Sequence, residues 1–139
     1  MKILFICKYN AFRSRIAEEY FKKINKNKNI QVISRGFIAE SNSDAEQQRL
    51  AKEILGVDIT KRKSLPVTKK ELLDSDLIIV VANDIPKIMF NYKSGILFKK
   101  VKIWKIKDEQ FKRKGNIKRT ILAIKRKVEK LNKKLENLK

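Results

Sequence analysis

The chain has 139 residues and a formal net charge of +20, with one cysteine and no histidine. This length suits one domain with a hydrophobic core and is short for two. A single cysteine excludes a disulfide framework within the chain and suits a reducing, cytoplasmic compartment. Without histidine, histidine metal sites and Ser–His or Cys–His dyads are excluded, so we expect no metal or other cofactor. No apolar run of membrane-spanning length and no secretory pattern occur in the sequence, so no membrane partner is expected.

The excess of positive charge predicts attraction to nucleic acid, anionic membranes or acidic protein surfaces, weakened by salt. Lysine is spread along most segments, however, and neither a base-reading motif nor interleaved aromatic residues accompany it. We therefore favour a general compositional bias over a nucleic-acid partner. If the protein acts on anions, the same charge would draw them towards it.

The only cysteine lies between the first predicted strand and the first predicted helix. Residues 2–6 form a short apolar segment, typical of a strand, that ends at Cys7. Helical periodicity starts at Ser14, with apolar residues on one face: Ile16, Ala17, Tyr20, Phe21 and Ile24. A strand that turns into a helix through a tight loop brings loop N–H groups and the positive helix end to one point, which makes an anion site.

The residue types in this loop fit nucleophilic chemistry on such an anion. A cysteine beside a helix N-terminus and an arginine is expected to be a thiolate at neutral pH, the form that attacks. Arg13 offers a planar fork that matches two oxygens of a phosphate-like anion. The Ser14 hydroxyl can donate to the thiolate, and Asn10 tolerates the left-handed backbone that a tight loop often needs. The alternative is that Cys7 is only a small buried hydrophobe at a strand end.

The loop reads Cys7-Lys-Tyr-Asn10-Ala-Phe-Arg13-Ser14, and Ile16-Ala17-Glu18 follows after Arg15. It resembles the phosphate-binding loop of the low-molecular-weight protein tyrosine phosphatases, and the related arsenate reductases share its cysteine, five-residue gap, arginine and serine. The resemblance implies catalytic roles for Cys7 and Arg13. It also implies substrate contacts from the rest of the loop: Lys8, Tyr9, Asn10, Ala11, Phe12 and Ser14. Tyr9 stands where the family commonly has glycine, and Phe12 where many members have a second cysteine.

Strand and helix patterns alternate along the rest of the chain. Further strands are predicted over residues 30–34, 76–82 and 98–104. Capping-box patterns at residues 43–46 and 68–71 predict two helix starts, and Gly56 is expected to end the first of these helices. A short helix is predicted over residues 85–91, with Asp84 as its cap.

A long basic helix is predicted from Asn116 to about residue 138. Its apolar residues form one narrow stripe: Ile117, Ile121, Ile124, Val128, Leu131, Leu135 and Leu138. The first half should pack on the sheet, whereas the last two turns are expected to reach beyond the core. There they could join a partner helix or a second copy of the chain, or fray, so a monomer and a dimer both stay open.

This order of elements predicts an α/β fold with three layers, in which a four-stranded parallel sheet has helices on both faces. Right-handed crossovers and the family resemblance imply the strand order 2-1-3-4 within a single domain over residues 1–139. Cys7, Arg35, Asn83 and Asp108 each follow a predicted strand. Ligands of such sheets bind beyond the carboxyl ends of the strands, so four positions converge on one edge.

The resemblance also implies a general acid on the loop after the last strand, and Asp108 is its counterpart, with Trp104 a few residues upstream as in related sequences. The family usually has Asp-Pro there, whereas Glu109 follows in this chain. Glu109 is therefore the alternative acid, and Asp84 is a second one. The family further places a histidine that supports the loop asparagine, and the counterpart predicted here is Lys61.

The function that the resemblance implies is hydrolysis of phosphotyrosine, in a protein, or of another aryl phosphate monoester through a cysteinyl phosphate. An arsenate reductase is the closest alternative. It would need an external thiol, because one cysteine cannot relay oxidation within the chain. A third hypothesis is an inactive basic scaffold that binds nucleic acid or acidic partners.

Overall fold

The structure, a computed structural model, describes residues 1–38, 42–90, 97–107 and 114–137, and its four parallel strands form one sheet in the order β2-β1-β3-β4. The strands are β1 (Lys2–Cys7), β2 (Gln31–Gly36), β3 (Leu77–Val80) and β4 (Val101–Ile103). The helices are α1 (Arg13–Ile24), α2 (Ala45–Leu55), α3 (Lys69–Asp74) and α4 (Lys114–Glu136), with 3-10 turns at Lys87–Phe90 and Phe98–Lys100. The predicted α/β class and strand order are confirmed.

The central strand β1 divides the core into two halves. Its residues alternate between the faces of the sheet, as the pleat requires. Ile3 and Phe5 join a core made with α1, α2 and α4, whereas Leu4 and Ile6 join a second core on the opposite face. Both faces of the sheet are therefore covered, which is the normal condition of a parallel sheet.

The long helix α4 packs further along its length than the sequence indicated. The stripe is confirmed over the described residues, because Ile117, Ile121, Ile124 and Val128 are fully buried in the core that contains α1 and α2, whereas Leu138 lies outside the described residues. Leu135 is also buried in that core, so the expectation that the last turns reach beyond it is wrong at least as far as this residue. The helix also begins two residues before Asn116, at Lys114. None of the helices in the described ranges is long and apolar enough to cross a bilayer.

The cap of α2 lies one residue later than predicted. Asp44 accepts a hydrogen bond from the Gln47 backbone at 2.8 Å, and the Gln47 side chain accepts one from the Asp44 backbone at 2.9 Å. The Asp44–Gln47 pair has the same spacing as the predicted Ser43–Glu46 pair, and the structure forms the capping box with it. Gly56 ends the helix in the left-handed conformation with a φ of 67°, as predicted, and the capping box of Thr68 with Glu71 is confirmed as well.

Two strands and one helix are shorter than their patterns predicted. β3 covers four of the seven residues predicted over 76–82, and β4 covers three of the seven predicted over 98–104. The helix predicted over 85–91 is, within the described residues, a single 3-10 turn at Lys87–Phe90. The predicted cap, Asp84, binds an arginine of another element instead, so the turn lacks the start that the sequence suggested.

A hydrogen bond between Tyr20 and Glu129 joins α1 to α4, with 2.7 Å between Oη and Oε2. Burial, followed by the hydrogen bond and charge of Glu129, raises the pKa of Tyr20 to about 12 from an ordinary value of 10.0. Because the folded protein holds this proton more tightly, the associated stability is present below about pH 10 and is lost as the pH rises towards 12.

We expect Tyr20→Phe to lower the free energy of unfolding at neutral pH by about 1 kcal/mol and to flatten the loss of stability above pH 10. Urea denaturation followed by circular dichroism between pH 7 and pH 11 measures both effects. Tyr9→Phe is the matched control, since Tyr9 is exposed. An alkaline profile of Tyr20→Phe that overlays the wild type would contradict this account.

Gly36 brings the end of β2 against the loop that follows β1. A Cβ atom here would lie 2.8 Å from the Tyr9 carbonyl carbon and 2.9 Å from the Asn10 nitrogen, both of which are backbone atoms. We expect Gly36→Ala to cost about 1–3 kcal/mol of stability, because the loop backbone must move. Gly115→Ala is the control: its Cβ would meet nothing within 4 Å in α4, so we expect about 1 kcal/mol of stabilisation. Urea midpoints that shift equally in the two variants would contradict the close approach.

Candidate active site

Cys7 is the last residue of the central strand β1, and its thiol is buried at the carboxyl end of the sheet. The Sγ atom lies 3.0 Å from the Oγ atom of Ser14, the second residue of α1. The turn from β1 to α1 thus folds back so that the strand end and the helix start meet. This is the strand–loop–helix arrangement that the sequence predicted around the cysteine.

The start of α1 differs from the starts of α2 and α3. Phe12 is its N-cap and has no polar side-chain atom that could satisfy the first N–H groups, whereas α2 and α3 each begin with a capping box. Free N–H groups at a helix start favour an anion. The uncapped end of α1 lies beside Cys7, so an anion bound there would meet the sulfur.

Asn10 holds the loop in its tight conformation. Its φ is 54°, which confirms the predicted left-handed backbone, and its side chain is fully buried. Its Nδ2 atom donates to Ser14 Oγ at 2.9 Å and to Ser34 Oγ at 3.0 Å. Because Asn10 donates to the Ser14 oxygen, the hydroxyl proton of Ser14 is free to point at the Cys7 sulfur.

Glu18 lies one turn after Ser14 on α1 and is buried behind this loop. Its Oε1 accepts from the Ser34 hydroxyl at 2.6 Å, and its Oε2 accepts from Lys22 at 2.7 Å. Burial opposes its ionisation, but the hydrogen bonds from Lys22 and Ser34 and the charge of Arg62 outweigh it, so the pKa of Glu18 lies below its ordinary value. Glu18 is therefore a fixed negative charge under the loop, a role that its place in the sequence did not indicate.

The cation that supports Asn10 is Arg62, and the prediction of Lys61 is wrong. The Lys61 side chain is exposed and pairs with Glu19 at 3.3 Å, whereas Arg62 Nη1 donates to Asn10 Oδ1 at 3.2 Å. The segment is irregular and basic, so no periodicity indicates which of two adjacent cations turns inward. Arg62 is thus a site residue that sequence reasoning missed by one position.

Arg13, the first residue of α1, is buried with its guanidinium held at two points. Nη1 donates to the Ile106 carbonyl at 2.9 Å, and Nη2 lies 3.4 Å from both carboxylate oxygens of Asp84. The prediction that Asp84 caps a helix is therefore wrong: its carboxylate is partly exposed and faces the arginine. Arg35, which was predicted to follow β2, lies within that strand and is paired with Glu71 at 2.8 Å.

The remaining loop residues divide between the surface and the core. Tyr9 is 39% exposed, and Lys8 Nζ lies 5.3 Å from the centre of its ring. The Phe12 side chain is packed in the core with α1 and α4, so its backbone N–H is the group it can offer to a substrate. The Ala11 side chain is half-buried. Tyr9 and Lys8 are thus the loop side chains most open to an approaching molecule.

Two predicted site residues, Asp108 and its alternative Glu109, lie outside the described residues. The described part of the chain contains no group of three cysteine, aspartate or glutamate side chains placed to hold a metal ion. The arrangement that it does contain is a buried thiol with a hydroxyl donor, an uncapped helix start and an arginine.

The whole chain is similar in fold to known phosphatases. The low-molecular-weight protein tyrosine phosphatase from T. tengcongensis superposes with a TM-score of 0.84 at 21% identity, covering 96% of this chain and 99% of that one. Wzb from Vibrio vulnificus in complex with benzylphosphonate gives 0.82 at 25% identity, with 96% and 97% covered. The YwlE arginine phosphatase from Geobacillus stearothermophilus gives 0.84 at 18% identity, with 98% and 93% covered.

Among curated proteins, none matches this chain in sequence. The family model described as low molecular weight phosphotyrosine protein phosphatase, in contrast, matches residues 2–138. That match spans the cysteine loop, the sheet and the terminal helix. The chain is a phosphatase that belongs to the low-molecular-weight protein tyrosine phosphatase family.

Proposed function

We propose that this phosphatase hydrolyses phosphotyrosine or other aryl phosphate monoesters through a phosphate ester of Cys7. The observation that carries the proposal is the Cys7 sulfur, which lies 3.0 Å from the Ser14 hydroxyl beside the uncapped start of α1. A hydroxyl whose proton points at the sulfur favours the thiolate, and the helix end favours the dianion that the thiolate attacks.

In the first step the Cys7 thiolate attacks phosphorus in line with the ester oxygen. The S–P bond forms while the P–O bond to the aryl group breaks, and Arg13 and the loop N–H groups hold the equatorial oxygens. The leaving phenolate takes a proton from Asp108. The negative charge on the phosphoryl oxygens in the transition state is stabilised by the guanidinium and the backbone dipoles, which are already oriented before the reaction starts.

In the second step water attacks the cysteinyl phosphate. Asp108, now ionised, accepts a proton from that water, and the P–S bond breaks to release phosphate and the thiolate. The Ser14 hydroxyl assists here, because its hydrogen bond stabilises the departing sulfur anion. One carboxylate therefore serves as acid and then as base.

The position of Ile106 supports the choice of Asp108. The Ile106 carbonyl accepts hydrogen bonds from Arg13 at 2.9 Å and from the Asn83 backbone at 2.9 Å. These bonds fix the segment that follows β4 beside Arg13. Asp108 is the second residue after Ile106 in the sequence, and this short separation along the chain supports its choice as the acid.

The alternatives have less support. A reductase of arsenate would need an external thiol, because Cys7 is the only cysteine of the chain. A pure scaffold would have no chemical reason to keep a hydroxyl on a buried thiol. The similar fold of an arginine phosphatase makes phosphoarginine a substrate to test, whereas the exposed Tyr9 ring beside the loop fits an aryl group by stacking.

We expect metal-free hydrolysis of p-nitrophenyl phosphate by the wild type and no turnover by Cys7→Ser. Asp108→Asn should lower kcat by about 100-fold or more, and Glu109→Gln by less than about 3-fold, because only one carboxylate protonates the leaving group. Vanadate should inhibit competitively. Release of p-nitrophenol at 405 nm measures all of these.

Phosphotyrosine and phosphoarginine peptides of the same sequence, compared by phosphate release, separate the substrate classes. Faster release from phosphoarginine would overturn the aryl preference while leaving the thiolate mechanism intact. Loss of turnover in Glu109→Gln but not in Asp108→Asn would move the acid role to Glu109. No turnover of either peptide or of the aryl ester would refute the proposal.

Asp84 is expected to weaken anion binding, because its carboxylate competes with the bound oxyanion for Arg13. Like charges about 6 Å apart at an effective dielectric of 20 repel by about 3 kcal/mol before solvent screening. We expect Asp84→Asn to lower the inhibition constant of inorganic phosphate by about 5-fold. Glu53→Gln, which removes a carboxylate that pairs with Arg49 on α2, is the charge-matched control. Equal inhibition constants in the wild type and Asp84→Asn would contradict the competition.

A further inference from the structure

Three exposed apolar side chains belong to the phosphate-binding loop or to segments beside it. The exposed fraction is 39% for Tyr9, 56% for Ile38 and 41% for Leu65. Single exposed apolar residues are common on protein surfaces, whereas several at one place mark an interaction site. These three residues, called the apolar rim below, come from three separate parts of the sequence.

Gly36 is the point at which these three parts of the chain meet. A Cβ atom on it would lie 2.8 Å from the Tyr9 carbonyl carbon, so the end of β2 touches the loop directly. Its N–H donates to the Leu65 carbonyl at 2.8 Å, and the Ile38 N–H donates to the Lys8 carbonyl at 2.8 Å. Backbone hydrogen bonds therefore hold the loop, the end of β2 and the segment that carries Leu65 side by side.

The apolar rim lies on the β2 side of the reacting sulfur. Cys7 ends the central strand, and its carbonyl accepts from the Phe37 N–H at 2.9 Å, so Ile38 directly follows a bonded partner of the nucleophile. Arg13 is instead held by Asp84, which follows β3 on the other side of β1. The group that binds the phosphate and the apolar rim therefore contact different parts of a substrate.

Two lysines accompany the apolar rim. Lys8 Nζ lies 5.3 Å from the centre of the Tyr9 ring, and the exposed Lys63 comes two residues before Leu65. A surface with apolar and positively charged side chains is complementary to a partner with apolar and acidic ones. Three side chains offer the contact area of one or two peptide residues, whereas binding to a bilayer scales with a larger buried apolar area. The chemistry of this surface thus fits a peptide.

We propose that the apolar rim binds a protein substrate through an apolar residue next to the phosphorylated one, with an acidic residue further along facing Lys8 and Lys63. The inference deepens the proposed function and rests on it. With the phosphoryl group at Cys7, the neighbouring substrate side chain gains contact with Ile38 and Leu65, whose apolar surface is otherwise in water. A small aryl phosphate has no such neighbour and gains nothing from them.

The test compares two phosphotyrosine peptides that carry either leucine or serine on both sides of the phosphotyrosine and an aspartate further along. We expect kcat/KM of the wild type, measured by phosphate release, to be about 10-fold higher for the leucine peptide. In the double variant Ile38→Ser, Leu65→Ser this ratio should fall below about 2. Its kcat/KM for p-nitrophenyl phosphate should change by less than about 2-fold, because that ester has no flanking residue.

Leu73→Ser is the matched control. Leu73 is 39% exposed, close to the value for Leu65, but it lies on α3, which leads into the amino end of β3, away from Cys7. We expect this variant to keep the wild-type preference. Lys63→Gln should lower kcat/KM for the leucine peptide by about 3-fold at low ionic strength, and this difference should shrink when salt is added.

Equal kcat/KM of the wild type for the two peptides would overturn the proposal, as would a preference that survives in the double variant or is lost in Leu73→Ser. If the double variant does not fold, Ile38→Ser alone replaces it. Binding to phosphatidylserine vesicles that the double variant loses, without any peptide preference in the wild type, would assign the apolar rim to a membrane and overturn the proposal too.

Failure of the proposed function gives a different result. In that case the wild type does not turn over p-nitrophenyl phosphate or either peptide. Binding of the two peptides to Cys7→Ser, followed by fluorescence anisotropy, then still tests the apolar rim. Tighter binding of the leucine peptide, lost when Ile38→Ser and Leu65→Ser are added, would support it, and equal binding would overturn it.

Discussion

The site depends on the buried side-chain amide of Asn10. A side-chain amide has two N–H donors and an oxygen that accepts two hydrogen bonds, and here all four are used. The amide donates to Ser14 and Ser34, and its oxygen accepts from Arg62 and from the Leu65 backbone. Breaking any of these bonds would leave a polar group unpaired in a dry interior, which costs more than the bond itself contributes. These four hydrogen bonds therefore stabilise the left-handed turn of the loop.

The first turns of α1 connect that amide to the rest of the fold. Ser14 and Glu18 are four residues apart and therefore lie one above the other on the same face of the helix. Ser14 reaches the sulfur, and Glu18 reaches the end of β2 and the segment that follows α2. Arg15 fixes the backbone of that segment from the same turn. One short helical stretch thereby sets the relative positions of three parts of the chain.

The arginines near Cys7 are paired with carboxylates, although the chain as a whole has a large excess of positive charge. The protein carries a net charge of +20, yet the arginines at this edge of the sheet each face a carboxylate: Arg62 with Glu18, Arg13 with Asp84, and Arg35 with Glu71. The pairs keep the guanidinium groups in fixed orientations, which is what recognition of a tetrahedral anion needs. Long-range attraction of anions then comes from the many lysines and is weakened by salt, whereas orientation at the sulfur comes from paired groups that salt screens less.

The sequence by itself determined the features that depend on neighbouring residues. The alternation of patterns indicated the parallel sheet, the loop around Cys7 had a recognisable spacing, and Asn10 was expected to be left-handed because few residue types tolerate that backbone. Gly56 ended its helix as predicted for the same local reason. Each of these was indicated by residue types that lie within a few positions of one another along the chain.

Only the tertiary structure decided which distant side chains complete the site. Arg62 is 52 residues from Asn10, and Asp84 is 71 residues from Arg13. Neither pairing leaves a periodic trace in the sequence, because the segment that carries Arg62 is irregular and its backbone is held by Arg15 of α1, not by a local pattern. The packing of Leu135 is another such case, since the stripe on α4 does not indicate how far the core extends. Local pattern fixes what a segment can be, whereas the docking of segments fixes which of its residues reach the sulfur.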